Sequence, residues 1–126
     1  MRRGAAPTED GLVEIAAWVL TLSLVVVLVG SAVAKLARVP AVVESITGVG
    51  WPADRLWLLA VIELVGAAGL LGGLAVPLLG LAAAVGSAVY FSAAVISHLR
   101  LRQSPGTAVR PLVIAVATVV VLALAR

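Results

Sequence analysis

Three side chains capable of acid–base chemistry lie in or beside apolar sequence. Glu63 sits inside AVIELVGAAGLLGG, residues 60–73, where the other thirteen positions are apolar or glycine. Lys35 closes the apolar stretch GSAVAK, and His98 ends another in AAVISHLR. A carboxylate and an ammonium in such surroundings can pair, hold the polar head of an otherwise apolar ligand, or carry a proton. Each residue also has a purely structural reading. Glu63 can be a buried anchor satisfied by Lys35, Ser31 or a backbone group. Lys35 can be a basic stop residue whose ammonium snorkels to the membrane surface. His98 can sit at the water boundary beside Arg100 and Arg102. Tyr90 falls in mid-helix, where its hydroxyl needs a partner or a polar cavity.

Composition sets the environment of these groups. The chain has 126 residues, 63% of them hydrophobic. Mean hydropathy is +1.20. A soluble domain of this length has no need for so much apolar surface, which predicts an integral membrane protein with one membrane domain over 1–126. With no cysteine, disulfides, thiol redox chemistry and iron–sulfur ligation are excluded. One histidine and scattered acids do not form a conventional metal site. The isoelectric point near 10.7 reflects basic loops that set topology and touch anionic lipid. No basic patch with interleaved aromatics points to nucleic acid.

A membrane-spanning helix takes ~20 mostly apolar residues. Four segments meet or approach that length, at about 12–34, 56–75, 77–99 and 111–125. The expected architecture is therefore all-α, an antiparallel bundle of four transmembrane helices. The last segment is short, with Arg110 and Arg126 placed to snorkel. GGLAVP makes a tight hairpin between the second and third. Ser104-Pro105-Gly106 marks a turn before the fourth. The long first connection carries an amphipathic stretch at 40–47 suited to the membrane surface. MRR followed by an apolar run and GSAVA has the outline of a secretory signal, but the acidic Glu9, Asp10 and Glu14 and the length of the run favour a retained helix.

Six basic residues (Lys35, Arg38, Arg55, Arg100, Arg102 and Arg110) fall on the face that carries the long first loop, against Arg2, Arg3 and Arg126 on the other. The positive-inside rule puts the first face in the cytoplasm of a cell-membrane protein, with both termini outside. In the first helix Glu14, Thr21, Leu28 and Lys35 recur every seven residues and share a face, and Ser31 lies one turn before Lys35. In the third, Gly80, Ala84, Ser87, Phe91, Ala94 and His98 form a seam of mostly small residues. The topology brings Lys35, Glu63 and His98 into the cytoplasmic half of the bundle, where Lys35 and Glu63, with His98 as a further candidate, are expected to border a cavity open toward that face. A lysine reaches ~6 Å, which makes a Lys35–Glu63 pair feasible across the ~10 Å depth of Glu63 below its helix start. Trp18, Trp51 and Trp57 suit an aromatic belt.

Two motifs in order carry a resemblance: GSAVAKLARVP at 30–40, then IELVGAAGLLGG at 62–73, followed by a helix ending in HLR. Together they resemble the DoxX-like family of small four-helix integral membrane proteins over about residues 12–102. The resemblance implies Lys35 and Glu63 as the site positions, a ligand-binding or buried polar pair, with His98, Ser31 and Tyr90 as additional candidates. It also implies a membrane redox complex as partner and a bound quinone as cofactor. The family name comes from a subunit of a thiosulfate:quinone oxidoreductase, and related four-helix proteins act as assembly factors. This chain has no flavin or dinucleotide fingerprint, so the expected role is a quinone- or lipophile-binding subunit and not an enzyme on its own. The alternatives are an assembly scaffold without chemistry and a proton-coupled transporter of small hydrophobic compounds. Glu14, the carboxylate that would match the small multidrug transporters, lies too shallow for a midplane proton site.

Overall fold

The computed structural model describes residues 9–101 and 106–124. Arg2, Arg3, Arg102, Ser104, Pro105 and Arg126 lie outside them. The described residues form five helices and no strand: α1 Glu9–Leu36, α2 Pro40–Gly48, α3 Leu56–Gly72, α4 Pro77–Arg100 and α5 Gly106–Leu124. A 3-10 turn, Ala53–Arg55, leads into α3. Three segments are long and apolar enough to cross a membrane, Gly11–Leu36, Ala53–Gly72 and Pro77–Arg100. Ala108–Leu124 is a shorter apolar helix.

Three of these elements differ from the sequence expectation. The amphipathic stretch at 40–47 is a full helix, α2, which makes five helices where four were expected. Pro40 opens it, because a proline at the first helical position loses no intrahelical bond. No residue of α2 is buried. The segment expected to end at 75 leaves the helix at Gly72, since residues 73–76 turn the chain toward α4. The segment expected to start at Pro111 starts at Gly106, which leaves Pro111 inside α5. Proline's fixed φ is helical, so it removes one backbone bond without ending the helix.

The four longer helices pack as a ring: α1 against α3 and α5, α3 against α4, and α4 against α5. Leu24 and Leu28 of α1, Ala67 and Leu70 of α3, Ala84 and Phe91 of α4, and Ala115 of α5 make one shared core. The stripe on α4 is buried at Gly80, Ala84, Ser87, Phe91 and His98, the alternating four–three spacing of a helix face. The other faces present Val, Leu and Ile outward, as lipid-facing surfaces do. Outside the ring, α2 touches only the end of α1 and the 3-10 turn among the major contacts. The bend between α1 and α2 places Arg38 at φ 54, a left-handed value unusual for a residue with a Cβ. Arg38 Nη1 donates to the Ala53 carbonyl at 2.8 Å and ties this bend to the entry of α3. Trp51 Nε1 donates to the Arg55 carbonyl at 2.9 Å, fixing the same loop from within.

The α3–α4 hairpin depends on missing side chains. A Cβ added at Gly73 would overlap the Gly80 backbone, and one at Gly80 would lie 2.9 Å from Gly73 Cα. At Gly69 it would lie 2.9 Å from Ala83 Cβ. Gly30 and Gly86 have nothing within 4 Å of the same position. Gly73→Ala should therefore destabilise the protein by ~1–3 kcal/mol through forced separation of two backbones. Gly86→Ala should be neutral or stabilising by up to ~1 kcal/mol, from helix propensity alone. Melting both variants in mild detergent checks the contrast, and equal midpoints would refute the close-packing account.

Candidate functional site

Lys35 lies in the last turn of α1 on the buried side that also holds Thr21, Leu24, Leu28 and Ala32. Glu63 lies in α3 on the stripe of Leu56, Ala60, Ala67 and Leu70. Because α1 and α3 pack together, the two charged residues meet. Lys35 Nζ is 2.7 Å from Glu63 Oε1, and its second bond goes to Ser31 Oγ at 2.6 Å, one turn back on α1. The pair is enclosed, with Lys35 7% exposed and Glu63 1%. Insertion of either charge into a membrane helix alone costs ~2.5–3.5 kcal/mol, so contact with the opposite charge is what makes these positions tolerable. Lys35 does not snorkel out to water, the role open to it from sequence alone.

Glu63 is only half satisfied. Oε1 faces the ammonium, while Oε2 is buried without a hydrogen-bond partner among the described residues. Glu63 also contributes to the wall of a cleft of about 600 Å3 between α3 and α4. The cleft reaches Leu28 of α1, and its polar members besides Glu63 are Ser87 and Tyr90. Ser87 Oγ donates to the Ala83 carbonyl at 2.9 Å, a bond within its own helix. Tyr90 is half-buried and packs edge-on against Phe91, with ring centroids 5.2 Å apart. Ile62, Val65, Ala68, Leu79, Ala82 and Gly86 line the same cleft and are exposed, so its mouth opens through the outer surface of two membrane-length helices.

Of the residues singled out by sequence, Lys35, Ser31 and Glu63 form one bonded cluster, and Tyr90 shares the cleft with Glu63. His98 does not line that cleft. It is 7% exposed, and Nδ1 is buried without a partner among the described residues, whereas its neighbour Arg100 is exposed. Its ring is therefore enclosed by the fold, although it lies in the last turn of α4. Glu14 is exposed on the first half of α1. A cavity bordered by Lys35, Glu63 and His98 and open toward the cytoplasmic face was expected from the sequence; the cleft instead lies between α3 and α4, with Glu63 but neither Lys35 nor His98 in its wall. Its signal was the run of small residues on both helices, Gly66, Ala68 and Gly69 against Ala82, Ala83 and Gly86. No group of three or more potential metal ligands occurs among the described residues.

A model of the DoxX-like family matches residues 19–121, which includes the whole of this site. The chain belongs to the DoxX-like family. No curated protein matches it, and no solved structure does. Membership covers α1 from Val19 through most of α5, so a DoxX-like membrane protein is described by the ring of helices as a whole and not by one motif.

In this DoxX-like chain the ion pair makes a measurable demand. Removal of one partner of a buried pair costs ~3–5 kcal/mol, while replacement of both by apolar residues is often neutral. Glu63→Leu should lower the detergent melting midpoint sharply. Lys35→Met combined with Glu63→Leu should recover most of that loss, giving a coupling well above the ~0.5 kcal/mol expected of independent sites. Additive losses would mean that the two side chains do not act as a pair.

Proposed function

We propose that this protein is a single membrane domain in which α1, α3, α4 and α5 cross the bilayer as an antiparallel bundle, and that it binds a lipophile in the α3–α4 cleft. The observation that carries this reading is the coincidence of two features at Glu63. It belongs to a buried ion pair, and it contributes to the wall of a cleft of about 600 Å3 whose mouth faces outward at membrane-length depth. An apolar molecule dissolved in the bilayer reaches such a mouth laterally, without crossing water. The site pair is Lys35 and Glu63, with Ser31 holding the ammonium and Tyr90 on the cleft wall.

The ligand class that accords with family membership is a quinone, and the role is that of a binding subunit in a membrane redox system, not an enzyme on its own. The wall suits such a molecule: it is mostly apolar, with the Tyr90 and Ser87 hydroxyls and the Glu63 carboxylate as its polar points. A bound quinone would supply reversible transfer of electrons and protons. This chain's residues would hold the head group and keep water from it.

A second reading has its own support. The Glu63 side chain is fully covered and bonded to α1, as a structural lock would be. In that case the protein is an assembly scaffold, and a stoichiometric protein partner without a small ligand is its signature.

Mass spectrometry of the organic extract of protein purified in mild detergent separates the two. Wild type should carry a defined lipophile, and Gly86→Leu, which adds a side chain to the cleft lining, should lose at least about tenfold of it. Wild type carrying only bulk lipid would remove the ligand-binding reading.

The proposed orientation rests on Arg38, Arg55, Arg100 and Arg110 on one face, which the positive-inside rule places in the cytoplasm, with the termini outside; Lys35, enclosed in its ion pair, does not count toward it. The absence of cysteine makes this easy to probe, because Glu44→Cys on exposed α2 would be the sole thiol. A membrane-impermeant maleimide should label it only after the cells are permeabilised. Labelling of intact cells would invert the topology.

A further inference from the structure

Most buried polar side chains of this fold have settled partners. Ser87 and Thr118 each donate to a carbonyl one turn back, at 2.9 and 2.7 Å. Lys35 has both Ser31 and Glu63. Three buried atoms have no hydrogen-bond partner among the described residues, Glu63 Oε1, Glu63 Oε2 and His98 Nδ1. Oε1 is met by the Lys35 ammonium as an ion pair at 2.7 Å, which leaves Oε2 and Nδ1. His98 borders neither the α3–α4 cleft nor the smaller one between α4 and α5. Glu63 does contribute to the larger cleft.

The chemistry of Oε2 restricts what can meet it. A carboxylate paired with an ammonium accepts hydrogen bonds and has none to donate. A buried acceptor without a donor is costly, more so when the group is charged. The partner that relieves it must bring an O–H or N–H. On the α1 side Lys35 and Ser31 already stand against the carboxylate and are bonded to each other, so a further donor comes from the cleft. The cleft offers the rest of that partner an apolar wall.

We infer that the α3–α4 cleft selects lipophiles whose head group donates a hydrogen bond, a phenol or an alcohol, and that Glu63 Oε2 is the acceptor. This rests on the lipophile-binding reading above and narrows it to a head-group class. Of a quinone couple, it is the reduced, hydroxyl-bearing member that fits. A head group carrying only ether or carbonyl oxygens leaves Oε2 unpaired, and sites built around a hydroxyl reject analogues that lack it. Because the Glu63 side chain is fully covered, the donor reaches it only as a wall side chain turns aside. Tyr90 is the half-buried aromatic of that wall.

The test compares 4-octylphenol with 4-octylanisole, which differ in an O–H against an O–CH3. Saturable binding of each is measured on the full chain in lipid nanodiscs, with empty discs subtracted. Wild type should bind the phenol about tenfold more tightly or better. The preference should fall to parity in Lys35→Met/Glu63→Leu, which keeps the cleft and removes the acceptor, while both probes still bind. Where that variant does not fold, Glu63→Gln replaces it: its amide donates as well as accepts, so the preference should narrow. Equal binding of both probes by wild type, abolished in Gly86→Leu, would overturn the head-group assignment and leave the lipophile site standing. A phenol preference undiminished in the Glu63 variants would overturn the role of Oε2. No saturable binding of either probe would overturn the lipophile site, and this inference with it.

Discussion

At the contact between α1 and α3 an ammonium and a carboxylate stand 2.7 Å apart, almost wholly enclosed by their own protein. Hydrophobic burial gives little direction to helices that are already in oil, because the lipid is as apolar as the core. Pairing of opposite charges does give direction. It fixes how far α1 slides along α3 and how each is rotated, to within the reach of one lysine. The rest follows from that register. Leu24 and Leu28 come to face Ala67 and Leu70, and α5 closes the ring beside α1. Ser31 takes a second of the three ammonium protons, so Lys35 is held from both sides.

The second constraint is the scarcity of side chains along α3 and α4. At the hairpin end the two backbones touch at Gly73 and Gly80, where a Cβ on either would meet the other. Farther along the contact loosens. A Cβ at Gly66 would meet Ser87 Oγ at an ordinary 3.5 Å. The same small residues that permit close approach at one end leave room at the other. That room is the cleft, and Glu63 stands at it because the charge pair fixes where α3 lies against α1. Close packing and an open site thus arise from one composition.

Much of this was legible in the residues. Apolar lengths indicated the long helices, and the seven-residue spacing of Thr21, Leu28 and Lys35 marked a face that the structure buries. The four–three seam on α4 runs down its buried side from Gly80 to His98. Glu14 continues the α1 repeat by number but is exposed, because the heptad drifts around a straight helix and the neighbouring helices do not follow it that far. α2 was harder to see: nine residues with no buried face carry a weak periodic signal, and its helix is started by Pro40 and held at its base by the Arg38–Ala53 bond. A cavity at Glu63 was expected, but its place between α3 and α4, away from Lys35 and His98, and the unpaired Oε2 were not legible. Both depend on the spacing between two helices and on one rotamer, which no pattern of residue types encodes.

The hairpin also has a consequence for the order in which the protein is built. Chain synthesis delivers α1 first, with Lys35 at its end and no counter-charge yet made. That ammonium can wait at the bilayer surface on its long stem. Glu63 arrives later, within a helix joined to α4 through four residues, 73–76, and in glycine contact with it. A carboxylate with a short side chain has no such waiting place. An α3–α4 pair that enters as a unit and then moves sideways to meet α1, with Lys35 drawn inward at the end, accords with this hairpin. On that order of insertion the ion pair would form late, once α1 and α3 have met. An α1 that is absent or wrongly turned would leave an unpaired acid in the membrane, at the cost such a group carries there.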